Sequence, residues 1–191
     1  ESNIKELKIL HGLNDITFMN QTHSNTVLKV SKEHTDLDCD AMFTEDKTIS
    51  CAVLTADCIP ILVTESSGRM IGCIHAGWRG LQSNIIGNFF SNFKSISKSN
   101  FRILLGPCIS AHNYEVSDEI FCQFSNYRER FRKNKSGNYY MDLRYIACDI
   151  LNELGITNVT ISKSCTYNDN FYSYRKDKTT GRFVSLIWFK K

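Results

Sequence analysis

Long apolar runs are missing from the sequence. The longest, such as residues 59–63, are too short for any helix to span a bilayer. The chain also lacks an opening charged region followed by an apolar one, so nothing indicates a secretory signal, and we expect a cytoplasmic protein. Because the sequence begins at Glu1 rather than Met, we expect that a leading segment is missing.

The sequence also has no large excess of charge of either sign. The net charge is +3 at pH 7, and the basic residues are scattered except at positions 128–135. Binding to nucleic-acid phosphates needs a concentrated basic face, so we expect no nucleic-acid partner, and the short apolar runs predict no membrane partner. The remaining composition is ordinary: 191 residues, 42% hydrophobic and 23% charged, predict one globular domain with a sizeable core.

Eight cysteines are present, but none belongs to a CxxC pair, which excludes a zinc ribbon. Cys51 and Cys73 lie in apolar, strand-like runs, and Cys122 and Cys148 lie in helix-like segments. Free cysteine packs as a small hydrophobic residue, so this placement favours reduced thiols over a disulfide framework. The other cysteines that need an explanation adjoin turn-like or polar sequence: Cys58, Cys108 and Cys165.

Apolar and β-branched runs predict a strand-rich protein. Runs of this kind lie at 49–55, 59–64, 70–74, 101–105, 159–162 and 183–189. The first three are almost continuously apolar, so we expect strands that are covered on both faces.

Helical periodicity separates some of these runs. Apolar residues recur every four positions from 81 to 93 and predict one amphipathic helix. Further helices are predicted at 117–126 and at 142–154, the second with Asp and Gly as its capping residues. The polar stretch 127–138 is expected to be the most mobile part of the chain. The predicted fold class is α+β.

Three positions at the ends of predicted elements are hard to explain by packing. His23 lies in a polar cluster just before an apolar strand, Cys58 lies between two strands, and His75 ends a strand and precedes a Gly-Trp-Arg-Gly loop. Two imidazoles and one thiolate make a three-ligand site with an open fourth position, which is typical of catalytic zinc. Taken singly, such a histidine is more often hydrogen-bonded scaffolding, so the wide spacing alone leaves both interpretations open.

Seven short motifs occur in a fixed order along nearly the whole chain. They are Gln21-Thr22-His23, Asp40-Ala41-Met42, Thr55-Ala56-Asp57-Cys58-Ile59-Pro60, His75-Ala76-Gly77-Trp78-Arg79-Gly80, Gly106-Pro107-Cys108-Ile109, Tyr114-Glu115-Val116 and Phe171-Tyr172-Ser173-Tyr174-Arg175-Lys176-Asp177. In these motifs the sequence resembles the polyphenol oxidase or laccase-domain family, the YfiH-like purine nucleoside phosphorylases.

The resemblance implies a layered α/β/β/α arrangement with mixed sheets, similar to the catalytic domain of cytotoxic necrotizing factor, in a single catalytic domain over residues 1–191. It also implies that His23, Cys58 and His75 bind the metal, which is zinc with copper as the alternative. Similar proteins convert adenosine, inosine or methylthioadenosine and phosphate to a free base and a ribose 1-phosphate derivative, and they deaminate adenosine. The implied partners are therefore a nucleoside and phosphate.

The chain departs from the family pattern in four respects. Thr22 and Ser24 flank the histidine where members usually have Val and Gly, and Lys176 stands where many members carry a second arginine. Position 108 varies in the family, so we interpret Cys108 as a packing residue. The leading segment of most members, with Thr-Arg and Gly-Gly stretches, is absent here, which would leave the pocket incomplete if that segment helps to close it.

Five residues are candidates for catalysis: Cys58, His75, Asp57, Arg79 and Arg175. Phosphorolysis needs a phosphate held against the anomeric carbon, and a guanidinium binds phosphate through paired hydrogen bonds. Arg79 and Arg175 are therefore candidate substrate-binding residues, with loop bracing as the alternative role. Asp57 is interpreted as a general base or as a residue that orients the neighbouring thiolate.

Other functions compete with this one. A copper-dependent polyphenol oxidase suits the same ligands, but a multicopper cluster needs many histidines, and His11, His34 and His112 are expected at the surface. A metal-free hydrolase would use Cys58 as nucleophile and His75 as base, for instance in peptidoglycan-precursor editing. A pure binding module is disfavoured by the polar cluster at the strand ends.

Overall fold

Mixed β-sheets dominate the computed structural model, which describes residues 2–13, 15–32 and 37–190. The strands of these residues are β1 (Asp15–Phe18), β2 (Val27–Lys29), β3 (Ala41–Thr44), β4 (Ile49–Thr55), β5 (Ile59–Glu65), β6 (Ile71–Ala76), β7 (Phe101–Leu105), β8 (Glu115–Val116), β9 (Phe131–Lys133), β10 (Tyr139–Met141), β11 (Val159–Ile161) and β12 (Phe183–Ile187). The helices are α1 (Ser2–His11), α2 (Trp78–Gln82), α3 (Ile85–Ser91), α4 (Asp118–Cys122), α5 (Leu143–Glu153) and α6 (Tyr174–Asp177). The α+β prediction is confirmed.

A six-stranded mixed sheet in the order β11-β7-β5-β6-β3-β2 forms the centre of the fold. Its middle strands β5, β6 and β3 are antiparallel neighbours, while β2 and β11 each pair in parallel with the adjacent strand. Strands β1, β4 and β12 form a second mixed sheet, and β8, β10 and β9 form a small antiparallel one.

The two faces of the central sheet are covered by different layers. Alternate residues such as Ile61 and Val63 pack with the α3 and α5 residues in the larger apolar core. Met42 and Cys73 point to the opposite face, where they pack with Cys51 of β4 in a second core. Because both faces are buried, the central strands are nearly continuously apolar, as the sequence predicts.

The predicted helix at 81–93 is wrong as a single element. The chain forms α2 and α3 instead, and Asn84 between them has a left-handed φ of 65°. A residue in this conformation ends a right-handed helix, and asparagine tolerates it better than most residues. Both helices still turn apolar residues toward the same core, which is why the periodicity in the sequence continues across the break.

Other helical predictions hold in part. The segment predicted as a helix at 117–126 is helical only over α4, and a 3-10 turn follows at Ser125–Arg130. Helix α5 agrees with prediction: the Asp142 side chain accepts a hydrogen bond from the Tyr145 amide, and Gly155 follows with φ of 77°. The polar stretch 127–138 contains β9, which pairs with β10.

All eight cysteines are free thiols, in agreement with the sequence analysis. Cys51 and Cys73 are buried in β4 and β6, and Cys122 is exposed on α4. Among the described residues, no helix has the length and apolar character needed to cross a membrane.

Candidate metal centre

His23, Cys58 and His75 come together at one end of the central sheet. Their ligand-type atoms all lie within 4.8 Å of one another, and His23 Nε2 is 4.0 Å from Cys58 Sγ. The two imidazole rings meet edge to face, with centroids 4.7 Å apart. His75 is buried, Cys58 is partly buried and His23 is exposed, so the group is open to solvent on the His23 side.

Strand register explains this convergence. In the antiparallel pair β5–β6, Pro60 pairs with His75, so Cys58 precedes β5 at the end of the sheet where His75 lies. In the antiparallel pair β3–β6, Ala41 pairs with Ile74. The same register brings residue 40 beside residue 75, and the His75 amide donates to the Asp40 carbonyl at 2.7 Å.

Asp40 organises the site, although the sequence indicated no specific role for it. Its fully buried carboxylate accepts hydrogen bonds from the amides of Thr22, His23 and Ser24 and from the Ser24 hydroxyl. Its Oδ1 atom also lies 2.7 Å from His75 Nδ1. The only signal in the sequence was its place in a shared motif, because its partners are distant along the chain.

The electrostatics of the site favour a negative charge on Asp40 and a positive charge on His75. Burial opposes the charge of Asp40, but hydrogen bonds from His75 and Ser24 outweigh it and hold its pKa well below the usual value. Burial also opposes the charge of His75, yet hydrogen bonds to Asp40 and Cys58 raise its pKa to about 9. For Cys58, contacts with His23 and His75 overcome burial and lower the thiol pKa to about 7.

Backbone strain and close packing concentrate at the same place. His23 and Asp57 both have left-handed φ values, 62° and 96°, which non-glycine residues rarely adopt. At Gly77, a β-carbon would lie 2.8 Å from Cys58 Sγ and 3.4 Å from His23 Cδ2. Only glycine leaves room for the thiol at this position.

Asp57 connects the site to the C-terminal part of the chain. Its carboxylate accepts hydrogen bonds from the Thr166 hydroxyl at 2.7 Å and from the Arg175 amide at 2.6 Å, and its carbonyl accepts one from the Ile109 amide. Both carboxylate oxygens are thus engaged by protein donors. This geometry favours the orienting role over the general-base role.

Arg175 and Arg79 differ in how they are held. Arg175 Nη1 donates to the Glu115 carbonyl at 2.8 Å, and the guanidinium lies 5.0 Å from the Tyr114 ring centroid. Arg79 is exposed and its guanidinium lies over the Trp78 ring at 4.7 Å. The predicted Gly-Trp-Arg-Gly loop is wrong, because Trp78 to Gly80 form the first turn of α2. Gly80 allows this turn to pack against the His75 carbonyl.

Tyr114 was missed as a site residue. Its hydroxyl is half-buried and forms no hydrogen bond to the residues described. Burial and the charge of Cys58 raise the pKa of this hydroxyl, while the charges of Arg175 and Arg79 oppose them. The phenol lies against Arg175, whose amide is bound to Asp57, the neighbour of Cys58.

The other predicted positions lie outside this group. Cys108 is buried and its sulfur accepts a hydrogen bond from Arg144, in keeping with a packing residue. His11 and His112 are exposed, as expected. His34 lies outside the described residues.

Comparison with known proteins gives the family. The sequence model of the family described as "multi-copper polyphenol oxidoreductase laccase" matches residues 1–190, so the chain belongs to this family. The chain is 34% identical over 181 residues to a Haemophilus influenzae purine nucleoside phosphorylase, covering 91% of this chain and 74% of that protein. It is 33% identical over 177 residues to the Escherichia coli purine nucleoside phosphorylase YfiH, covering 90% and 72%.

Solved structures have the same fold. A Neisseria meningitidis protein of the DUF152 family superposes with a TM-score of 0.92 at 33% identity, over 99% of this chain and 80% of that one. YlmD from Geobacillus stearothermophilus superposes with a TM-score of 0.91 at 25% identity, over 99% and 79%.

The residues present fit a metal ion. Two imidazole nitrogens and one sulfur form a donor set that suits zinc and copper. His75 has its Nδ1 against a carboxylate, which fixes the ring and leaves the other nitrogen for a ligand, as is usual for metal-binding histidines. The absent side chain at Gly77 keeps the thiol accessible.

Proposed function

We propose that this protein is a zinc-dependent purine nucleoside phosphorylase that also deaminates adenosine. Adenosine, inosine and methylthioadenosine are the proposed nucleosides, and phosphate is the second substrate. The observation that carries the proposal is the convergence of His23, Cys58 and His75 with Asp40 behind them, in a chain whose similar proteins bear the name purine nucleoside phosphorylase.

The metal ligands are held by the chain's own hydrogen bonds. His23, Cys58 and His75 would hold zinc, which supplies a Lewis acid and lowers the pKa of bound water to near neutrality. Asp40 orients His75 directly, and it fixes the loop of His23 through three backbone amides. This arrangement aims the ligands before the metal and the substrate bind.

The two arginines have different tasks in this proposal. The Arg79 guanidinium makes no hydrogen bond to the residues described, so its planar set of donors is free to bind phosphate. Arg175 uses one donor on the Glu115 carbonyl, and its backbone amide is bound to Asp57. Asp57 thereby positions Arg175 at the edge of the site, where the guanidinium still presents its other donors.

The test combines metal analysis with product analysis. Purified protein is assayed for zinc and for conversion of adenosine and phosphate to adenine, inosine, hypoxanthine and ribose 1-phosphate. We expect about one zinc per chain, with release of ribose 1-phosphate and of inosine. Cys122→Ala, at an exposed cysteine on α4, is the matched control for Cys58→Ala and should retain both metal and turnover. Zinc-loaded protein that releases neither product contradicts the proposal.

A copper-dependent polyphenol oxidase is the second candidate, because the matching family carries that description. Protein reconstituted with copper or with zinc distinguishes the two candidates. Phenol oxidation by the copper form, without nucleoside turnover by the zinc form, favours the oxidase.

A cysteine hydrolase is the third candidate, because contacts with His23 and His75 lower the pKa of the Cys58 thiol to about 7, although burial opposes this effect. The fold relationship to cytotoxic necrotizing factor, which the family resemblance implies, also favours a hydrolase. Hydrolysis of a peptidoglycan precursor that survives complete chelation of metal favours the hydrolase.

We further propose that the chain forms a single catalytic domain. We also propose a cytoplasmic location, which the eight free thiols support.

A further inference from the structure

Tyr114 is a polar side chain at the site that has no part in metal binding or phosphate binding in the proposed function. The Arg175 guanidinium lies 5.0 Å from its ring centroid, and the Arg175 amide is bound to Asp57, the neighbour of Cys58. The Tyr114 hydroxyl forms no hydrogen bond to the residues described. A buried tyrosine hydroxyl usually has a hydrogen-bond partner in the protein. Because Tyr114 is only half-buried, its hydroxyl is free to bond water or a ligand that enters the site.

The position of this phenol is fixed by its surroundings. The Tyr114 amide donates to the Ala111 carbonyl, and the Tyr114 carbonyl accepts from the Met141 amide. The Arg175 guanidinium covers the ring at 5.0 Å and is itself bound to the next carbonyl of the chain, that of Glu115. A hydroxyl held in this way loses little conformational entropy when it binds a substrate.

We propose that the Tyr114 hydroxyl binds the 2′- or 3′-hydroxyl of the nucleoside's ribose and orients the sugar in the site. This inference rests on the proposed function. A phenol donates one hydrogen bond and accepts others, and a sugar hydroxyl does the same, so the two groups match. Phosphorolysis requires phosphate beside the anomeric carbon. Tyr114 lies against Arg175, whose amide is bound to the neighbour of the ligand Cys58, so the sugar of a bound nucleoside would come to lie beside the phenol.

The experiment compares wild-type protein with Tyr114→Phe on adenosine, 2′-deoxyadenosine and 3′-deoxyadenosine. The variant keeps the ring under Arg175 and removes only the hydroxyl. We expect kcat/KM for adenosine to fall about tenfold in phosphorolysis and in deamination, because both reactions use the same sugar contact. With the deoxynucleoside that lacks the partner hydroxyl, the two proteins should have equal kcat/KM. The KM for phosphate and the zinc content should not change.

Tyr140→Phe is the matched control, since Tyr140 also lies under an arginine, Arg132, at 5.3 Å, but on β10. It should retain wild-type kinetics with all three nucleosides. Equal losses for Tyr114→Phe with adenosine and with both deoxynucleosides overturn the sugar contact, as does a raised KM for phosphate alone. Unchanged kinetics overturn it as well. No nucleoside turnover by the wild-type protein contradicts the proposed function and this inference together, whereas the other outcomes leave the proposed function standing.

Discussion

His75 Nδ1 lies 2.7 Å from Asp40 Oδ1, and both side chains are buried at the end of the central sheet. The contact joins β6 to the residue that precedes β3, and the same carboxylate receives the amides of the His23 loop. One buried acid thereby fixes the two histidines of the candidate metal centre, one through its ring and the other through its backbone.

Asp40→Asn should weaken zinc binding about 10- to 100-fold, because the neutral amide no longer supports the His75 ring or accepts all the loop amides. Zinc affinity, measured by competition with a chromogenic chelator, checks this. Asp38→Asn is the control, since Asp38 is exposed and bonds only to Asn20 among the residues described. Equal zinc affinity for folded Asp40→Asn and wild-type protein contradicts the role of Asp40.

Cys58→Ala should abolish nucleoside turnover and leave the protein folded, since Cys58 is a partly buried residue that contributes little packing. Cys51→Ala should retain metal and activity but lower the free energy of unfolding by about 1–2 kcal/mol, because it truncates a fully buried side chain. Urea unfolding and turnover are measured on both variants. If both variants are folded and lose activity equally, the result contradicts the assignment of Cys58 as a metal ligand and of Cys51 as a core residue.

Arg79→Lys should reduce phosphorolysis about a hundredfold while deamination changes little, because lysine keeps the charge but loses the planar donors that orient phosphate. Ribose 1-phosphate and inosine are quantified from the same reaction mixture. An arginine that only braces α2 through its contact with Trp78 would affect both products alike, so a parallel decline counts against phosphate binding.

The free energy of unfolding should depend on pH through Glu65, which lies outside the candidate metal centre. Its carboxylate accepts hydrogen bonds from the Ser67 hydroxyl and amide and from the Arg69 amide. The hydrogen bond from the Ser67 hydroxyl is the main cause that holds the pKa of Glu65 below its usual value. Burial opposes this effect, and the Arg69 and Ser67 amides add to it. The stabilisation is therefore complete above the unfolded-state pKa of about 4.3 and is lost as the pH falls through the lower folded-state pKa.

Thermal unfolding of Glu65→Gln tests this sign. The variant should melt below the wild-type protein near pH 6, and the two melting temperatures should converge as the pH is lowered. Glu45→Gln, which removes an exposed ion pair with Lys29, should change the melting temperature little at either pH. A difference between Glu65→Gln and wild type that grows toward low pH is the contrary result.

The sequence predicted the strands of the core well because burial on both faces leaves a local signature of continuous apolar residues, as in β4 and β5. It predicted His23, Cys58 and His75 as a group because each is a polar residue at the end of an apolar element and because the shared motifs include all three. Their proximity in the structure agrees with this prediction.

Features that depend on distant contacts were not predicted. Asp40 resembles any acid in a loop until the β3–β6 register brings it beside His75. The break at Asn84 was hidden because α2 and α3 bury their apolar residues in one core, which preserves the four-residue period. Trp78 to Gly80 were expected in a loop, since two glycines suggested one, but the packing of Gly80 against His75 favours a helical turn.

The amides of Thr22, His23 and Ser24 donate to the carboxylate of Asp40, whose carbonyl accepts the His75 amide of the central sheet. In hydrogen exchange, protons bound in this way are released only when their acceptor moves away. We therefore expect the loop of His23, although exposed at the surface, to open together with β3 and β6. Its amides should exchange with the rate constants of the sheet interior, and the candidate metal centre should persist until the sheet itself opens.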